Sequence, residues 1–193
     1  MQNSNVIRIG FDLDGVLLYN PIRIVRPIIS WVKRTLLHKH QTKFFVPRGF
    51  FWESLFILFH KTSLFVAPGY EKVRALGLLP KVELYLITAR FSFLKHDLDV
   101  WKEKLNAEQI FSQIYYNELD EQPHLFKKRI INELKLAVFV EDNWDIVRIL
   151  HENCPDTKIA WIYNIFDSHI PYHLKFPDLR KVTAWLQTEL FSS

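Results

Sequence analysis

Two aspartates stand two positions apart in the string FDLDGVL, Asp12 and Asp14, at the end of the apolar run Val6–Asp12 and just before Gly15. On an extended backbone alternate side chains leave on the same side, so the two carboxylates converge on one point. Held there alone they repel each other and lose hydration, which makes them a destabilising end for a buried strand unless a cation joins them. A hard divalent ion such as Mg²⁺ takes oxygen ligands and fills that need. Gly15 lets the chain turn sharply and brings backbone amides close to an anion beside the metal. The same string also serves as an Asx-type turn with two solvated aspartates.

A second acidic group, Glu141-Asp142-Asn143, follows the apolar run LAVFV, with Asp145 just beyond. In a parallel sheet the carboxyl ends of neighbouring strands share one edge, so Asp142 can reach the cation of Asp12 and Asp14. Glu141, Asn143 and Asp145 suit roles behind the metal ligands or as helix caps, with a water-mediated contact open to Asp145. Thr88 ends the run VELYLIT and offers a hydroxyl to a phosphoryl oxygen. Arg90 follows in the expected loop, within reach of an anionic substrate or simply on the surface. Gly15, Ala89 and Arg90 are the candidate substrate-binding positions. Lys127 shares a helix face with Ile130, Ile131 and Leu134, at the spacing of a buried side, where an ammonium either finds an anion or snorkels to water.

These residues need elements to hold them. Val6–Asp12, Val82–Thr88, Ile110–Tyr116, Leu136–Glu141 and Lys158–Tyr163 read as strands, apolar with little alternation and hence buried on both faces. Helical patterns fall between and after them, at Tyr70–Leu78, Ser92–Leu105, Gln122–Lys135, Ile146–Asn153 and Leu179–Leu190. Alternation of this kind predicts an α/β doubly wound parallel sheet whose ligands bind at the carboxyl ends of its strands.

One stretch, Tyr19–Val66, breaks the rhythm and reads as an inserted cap with helices at Pro21–His38 and Phe50–Lys61. Phe44, Phe45, Phe50, Phe51, Trp52, Phe56, Phe59 and Phe65 crowd its second half, either as the cap's own core or as a contact patch. No acidic residue lies between Asp14 and Glu53, where Arg23, Arg26, Lys33, Arg34, Lys39, Lys43 and Arg48 all fall. That basic bias is either a solvated helix face or an approach for something anionic.

Composition bounds the rest. A chain of 193 residues that is 49% hydrophobic and 24% charged makes one packed domain with an insertion, not a disordered chain. The single cysteine, Cys154, forms no internal disulfide, and no Cys/His spacing matches a zinc site. The opening MQNSNVIR lacks a signal peptide, and no apolar run is long enough to span a membrane, so the expected location is cytoplasmic.

In chain order, Asp-x-Asp-Gly-Val, a Thr after an apolar strand, a helical Lys and Glu-Asp after another strand resemble the four motifs of the haloacid dehalogenase (HAD) superfamily of phosphatases. The resemblance covers most of the chain, with Glu-Asp in place of the commoner paired aspartates or Gly-Asp. It implies a Rossmann-like core of strand order 5-4-1-2-3 formed by 1–18 and 67–193, with 19–66 as a helical cap. It further implies Asp12 as a nucleophile that forms an aspartyl-phosphate, Asp14 as general acid and base, and Thr88 and Lys127 holding the transferring oxygens. Mg²⁺ would be bound by Asp12, the carbonyl of Leu13 and Asp142, with Asp14 beside it. An intact Asp14 favours ester hydrolysis over dehalogenation, and LITAR with an early cap is similar to the deoxyribonucleotidase-like branch.

The expected partner is thus a small phosphorylated metabolite, a nucleotide among the candidates, with no obligatory nucleic acid and a monomer or homodimer as the assembly. Two other functions compete: a catalytically silent module whose basic, aromatic cap docks on nucleic acid, a membrane surface or a protein, and a phosphotransferase that passes the phosphoryl group to a sugar hydroxyl.

Overall fold

In the run Ile7–Phe11 (β1) alternate residues pack on opposite faces of a sheet, and Ile9 and Phe11 are fully buried on one of them. The structure, a computed structural model, describes residues 6–19, 49–60 and 65–191, the side chains of 55, 56 and 58–60 excepted. The helix expected at Pro21–His38 and the rings of Phe44 and Phe45 lie outside the described residues. After β1 the described elements are β2 (Leu18–Tyr19), α1 (Phe50–His60), β3 (Phe65–Val66), α2 (Tyr70–Gly77), β4 (Val82–Phe91), α3 (Lys95–Lys104) and α4 (Ala107–Ile110). They continue with β5 (Gln113–Asn117), α5 (Pro123–Leu134), β6 (Val138–Glu141), α6 (Trp144–Asn153), β7 (Lys158–Ile162), β8 (Lys175–Phe176) and α7 (Leu179–Phe191).

Six strands form one parallel sheet in the order β5-β4-β1-β6-β7-β8. Without β8 that is the expected 5-4-1-2-3 order. The addition is β8, two residues joined to β7 at the edge, too short to show a pattern in sequence. On one face Ile9, Phe11, Leu84, Leu86, Val140 and Ile162 meet α2, α3 and α7 through Val73, Leu76, Leu98, Trp101, Val182 and Leu186. On the other, Tyr85, Ile87, Phe139, Ile159 and Trp161 meet α5 and α6 through Phe126, Ile130, Ile131, Val147 and Leu150. Each such large apolar side chain contributes about 1.5–3 kcal/mol when fully buried. At Gly10 a Cβ would stand 2.6 Å from Leu136 Cδ1 and 2.8 Å from Phe139 Cδ2, so β1 owes its seat to the missing side chain.

Three expectations need correction. Ile110 closes the short helix α4 and is not in a strand, because Asn106 in the left-handed region turns the chain into Ala107–Ile110. The helix expected from Ser92 opens with a 3₁₀ turn at Ser92–Leu94 before α3 begins. Strand β4 runs past Thr88 to Phe91, which places Arg90 in a strand and not in a loop.

A separate antiparallel ladder pairs Leu18 with Val66 and Tyr19 with Phe65, whose rings stack at 5.0 Å. Beyond it, the helix α1 presents Phe50 (87% exposed) and Phe51 (70% exposed) to solvent, so these rings are not the buried core of a cap. Among the described residues no helix is long and apolar enough to cross a membrane.

Candidate active site at the carboxyl edge of the sheet

The carboxyl ends of β1, β4 and β6 lie side by side, since β1 pairs with both of the others. Asp12 follows β1 directly, its amide donating to the Val140 carbonyl of β6 at 3.0 Å. Glu141 ends β6, and Asp142 follows it. Asp12, Glu141 and Asp142 are all buried and each offers a carboxylate oxygen within 4.8 Å of the others.

Lys127 enters this cluster from α5. That helix starts with Pro123, whose missing N–H costs nothing in a first turn, and it turns Phe126, Ile130 and Ile131 onto the sheet. Lys127 falls on the same face, 2% exposed. Its Nζ donates to Glu141 Oε2 at 2.6 Å and stands 2.9 Å from Asp12 Oδ1. The other oxygen of Glu141 accepts from the amides of Asp142, at 3.2 Å, and Asn143, at 3.0 Å. Both oxygens of Glu141 are therefore engaged within the protein, and it serves to hold Lys127 and the start of the next loop. Asn143 caps α6, its Oδ1 accepting from the Asp145 amide at 3.1 Å, and Asp145 lies in the helix's first turn. The indole of Trp161 donates to the Asp142 carbonyl at 3.1 Å and fixes that turn.

Burial pushes the Asp12 carboxyl well above the usual range; Lys127 draws it back, while Glu141, Asp142 and Asp14 push it up further. Burial also raises Glu141, against the pull of Lys127. For Lys127 burial acts downward, but Asp12 and Glu141 outweigh it and hold the ammonium above its ordinary value. Three buried carboxylates thus face one ammonium. A divalent cation fits that excess of negative charge, and the hard oxygen donors suit Mg²⁺. The space is also shaped for the acids: at Gly15, where φ is +85°, a Cβ would lie 2.1 Å from Asp142 Oδ2.

Two residues are placed differently from the expectation. The Leu13 carbonyl, expected to face the cation, accepts from the amides of Leu17 at 3.0 Å and Leu18 at 2.9 Å, so its lone pairs close the turn. The Gly15 amide likewise donates to the Leu18 carbonyl at 2.9 Å. Thr88 is buried at the end of the expected run, its Oγ1 accepting from the Arg90 amide at 3.3 Å, with Ala89 half-buried beside it.

Arg90 is neither a surface group nor a loop residue. Its side chain is 1% exposed, with Nε 2.7 Å from Asp14 Oδ2, Nη2 2.8 Å from Asp14 Oδ1 and Nη1 2.6 Å from Asp97 Oδ2. Burial acts to lower this guanidinium, and Asp14 and Asp97 reverse that and raise it. Asp14 therefore sits in a fork with Arg90, outside the group of Asp12, Glu141 and Asp142. Asp97 was missed in the sequence. The only signal for it was an acid in the first turn of the helix that follows Arg90.

This parallel sheet with helices on both faces is the fold of solved HAD-superfamily hydrolases. Solved structures of that superfamily match nearly the whole chain. CbbY from Rhodobacter sphaeroides in complex with phosphate aligns with a TM-score of 0.59 at 14% identity, over 92% of this chain and 96% of that one. A putative beta-phosphoglucomutase from Thermotoga maritima gives 0.57 at 12% identity, over 94% and 99%. The 2-haloacid dehalogenase from Pseudomonas syringae pv. Tomato DC3000 gives 0.54 at 14% identity, over 95% and 99%. No family model and no curated protein matches the sequence.

Proposed function

We propose that this chain hydrolyses a small phosphate monoester, with Mg²⁺, through a phosphoryl-aspartate on Asp12. The observation that carries the reading is the meeting of Asp12, Lys127 and Asp142 in one buried group, with Lys127 Nζ 2.9 Å from Asp12 Oδ1. Lys127 orients the attacking carboxylate and is placed to meet an oxygen of the transferring group. An Asp12 oxygen bonds to phosphorus as the ester P–O bond breaks, and the electron pair leaves with the ester oxygen. Asp14 in its protonated form delivers the proton that this oxygen needs, and the Arg90 fork holds the carboxylate that remains. It then takes a proton from the water that attacks phosphorus and breaks the bond to Asp12, releasing inorganic phosphate. Mg²⁺, held by Asp12 and Asp142, would supply the positive charge that lets a carboxylate approach an anionic phosphoryl group.

The CbbY structure is a complex with phosphate, which supports a phosphoryl substrate for this fold. The fold also supports dehalogenases. Asp14 favours the ester, since displacement of halide requires no proton shuttle. Under this reading residues 19–66 are the cap that selects the metabolite, a nucleotide among the candidates.

The test is phosphate release from a panel of nucleoside 5′- and 3′-monophosphates, sugar phosphates and para-nitrophenyl phosphate, with Mg²⁺ or EDTA. Release that depends on metal and is lost in Asp12→Asn supports the assignment, and the ranking names the substrate class. No release from a folded protein would transfer weight to a phosphotransferase or to docking by the insertion. The docking reading has its own support in the exposed Phe50 and Phe51 beside an acid-free basic stretch. Binding to an anionic surface that falls steeply with salt would favour it.

A further inference from the structure

We infer that Arg90 is the positioning residue of Asp14, anchored by Asp97, and that its guanidinium acts on the carboxylate of Asp14 and not on the substrate's phosphoryl group. The inference rests on the hydrolase reading above for what Asp14 does, and on geometry alone for what Arg90 does. The Nε and Nη2 edge of the guanidinium meets both oxygens of Asp14, at 2.7 and 2.8 Å, which fixes the plane as well as the place of the carboxylate. The opposite edge is taken by Asp97 of α3 at 2.6 Å. Three of the five N–H donors of the fork are thereby committed to carboxylates.

The backbone is built to deliver this group. The register of β4 against β5 shifts between Thr88 and Phe91, and Arg90 lies in that irregularity. Such a break re-aims a side chain next to a site. A buried arginine is tolerated only when its charge is paired, and Asp14 and Asp97 provide that pairing from β1's end and from α3. Lysine cannot replace it, because a point charge holds one oxygen and leaves the carboxylate free to rotate.

Arg90→Lys and Asp97→Asn test the assignment on phosphate esters of graded leaving-group basicity, from alkyl phosphates to para-nitrophenyl phosphate. In the step that forms the phosphoryl-aspartate a misplaced Asp14 harms the esters that need a proton, so in Arg90→Lys kcat/KM, which reports that step, should fall roughly tenfold to a hundredfold for alkyl phosphates and by about threefold or less for para-nitrophenyl phosphate. KM should not rise for para-nitrophenyl phosphate, and Asp97→Asn should show a weaker effect of the same sign. A KM that rises for all esters alike would make Arg90 a phosphate-binding residue and overturn the proposal. An equal fall in kcat/KM for all esters at unchanged KM would make the role structural and overturn it too. A wild-type enzyme silent on every ester would refute the hydrolase reading instead. In that case crystal structures of wild type and Arg90→Lys decide: displacement of the Asp14 carboxylate supports positioning, and an unmoved carboxylate overturns it.

Discussion

Lys127 and Glu141 form a buried ion pair, Nζ to Oε2 at 2.6 Å, and the same ammonium lies 2.9 Å from Asp12 Oδ1. One cation from α5 thus holds the acid that ends β6 and the acid that follows β1. Neither acid has an equivalent partner among the described ion pairs. Its removal would leave carboxylates buried without compensation, a state far more costly than an exposed broken pair.

Lys127→Met should therefore destabilise the protein by about 3–5 kcal/mol, as for other buried pairs cut on one side. Adding Glu141→Gln to it should restore part of the loss, because one unpaired charge is removed. Urea denaturation of the single and double variants measures both. An unchanged midpoint for Lys127→Met would mean that the ammonium carries no such burden.

Asp12→Asn should lose turnover by on the order of 10³-fold or more, since an amide cannot attack phosphorus. The fold should persist without loss of thermal stability, because the substitution keeps the shape and removes one buried negative charge. Steady-state rates beside a melting curve check the two halves. Turnover at the wild-type level would end the nucleophile assignment.

Burial raises the carboxyls of Asp12 and Glu141. A carboxyl raised in the folded state binds more protons there than in the unfolded chain. Its stabilising contribution is full below the unfolded value of about 4 and is lost as pH rises through the folded one. In EDTA the melting temperature should fall over that window, and Mg²⁺ should reverse the trend by binding the ionised acids. Profiles that coincide with and without Mg²⁺ would show that these acids hold no cation.

Gly15→Ala meets two penalties, a φ of +85° and a Cβ 2.1 Å from Asp142 Oδ2. Among the described residues Gly49→Ala meets only the first, with φ at +91° and none of them within 4 Å of the added atom. Both should lose about 1 kcal/mol or more for the backbone. Only Gly15→Ala should also weaken Mg²⁺ binding, by displacing Asp142. Equal Mg²⁺ affinity in the two variants would detach Gly15 from the metal site.

The sheet was legible because β1, β4, β6 and β7 are buried on both faces and so read as unbroken apolar runs. Helix α4 was not, since AEQI is too short to show a helical period. At the site, Lys127 stood out as a charge on an apolar helix face, and the acids stood out by ending apolar strands. Arg90 misled because a polar residue normally ends a strand, whereas here Asp14 and Asp97 satisfy it in place. The Leu13 carbonyl misled for a related reason. Its partners are the amides of Leu17 and Leu18, and backbone pairing within a turn leaves no mark on side-chain types.

The strand order also sets a schedule for synthesis. Ile9 of β1 pairs with Leu84 on one side and with Val138 on the other, so the central strand emerges from the ribosome long before either neighbour exists. Until then its two edges are unpaired and its apolar residues exposed, the condition under which a nascent chain sticks to other chains. Non-local pairing of this kind also slows folding. Refolding yield should therefore drop as protein concentration rises, with Ile7–Phe11 as the segment that a chaperone would have to shield.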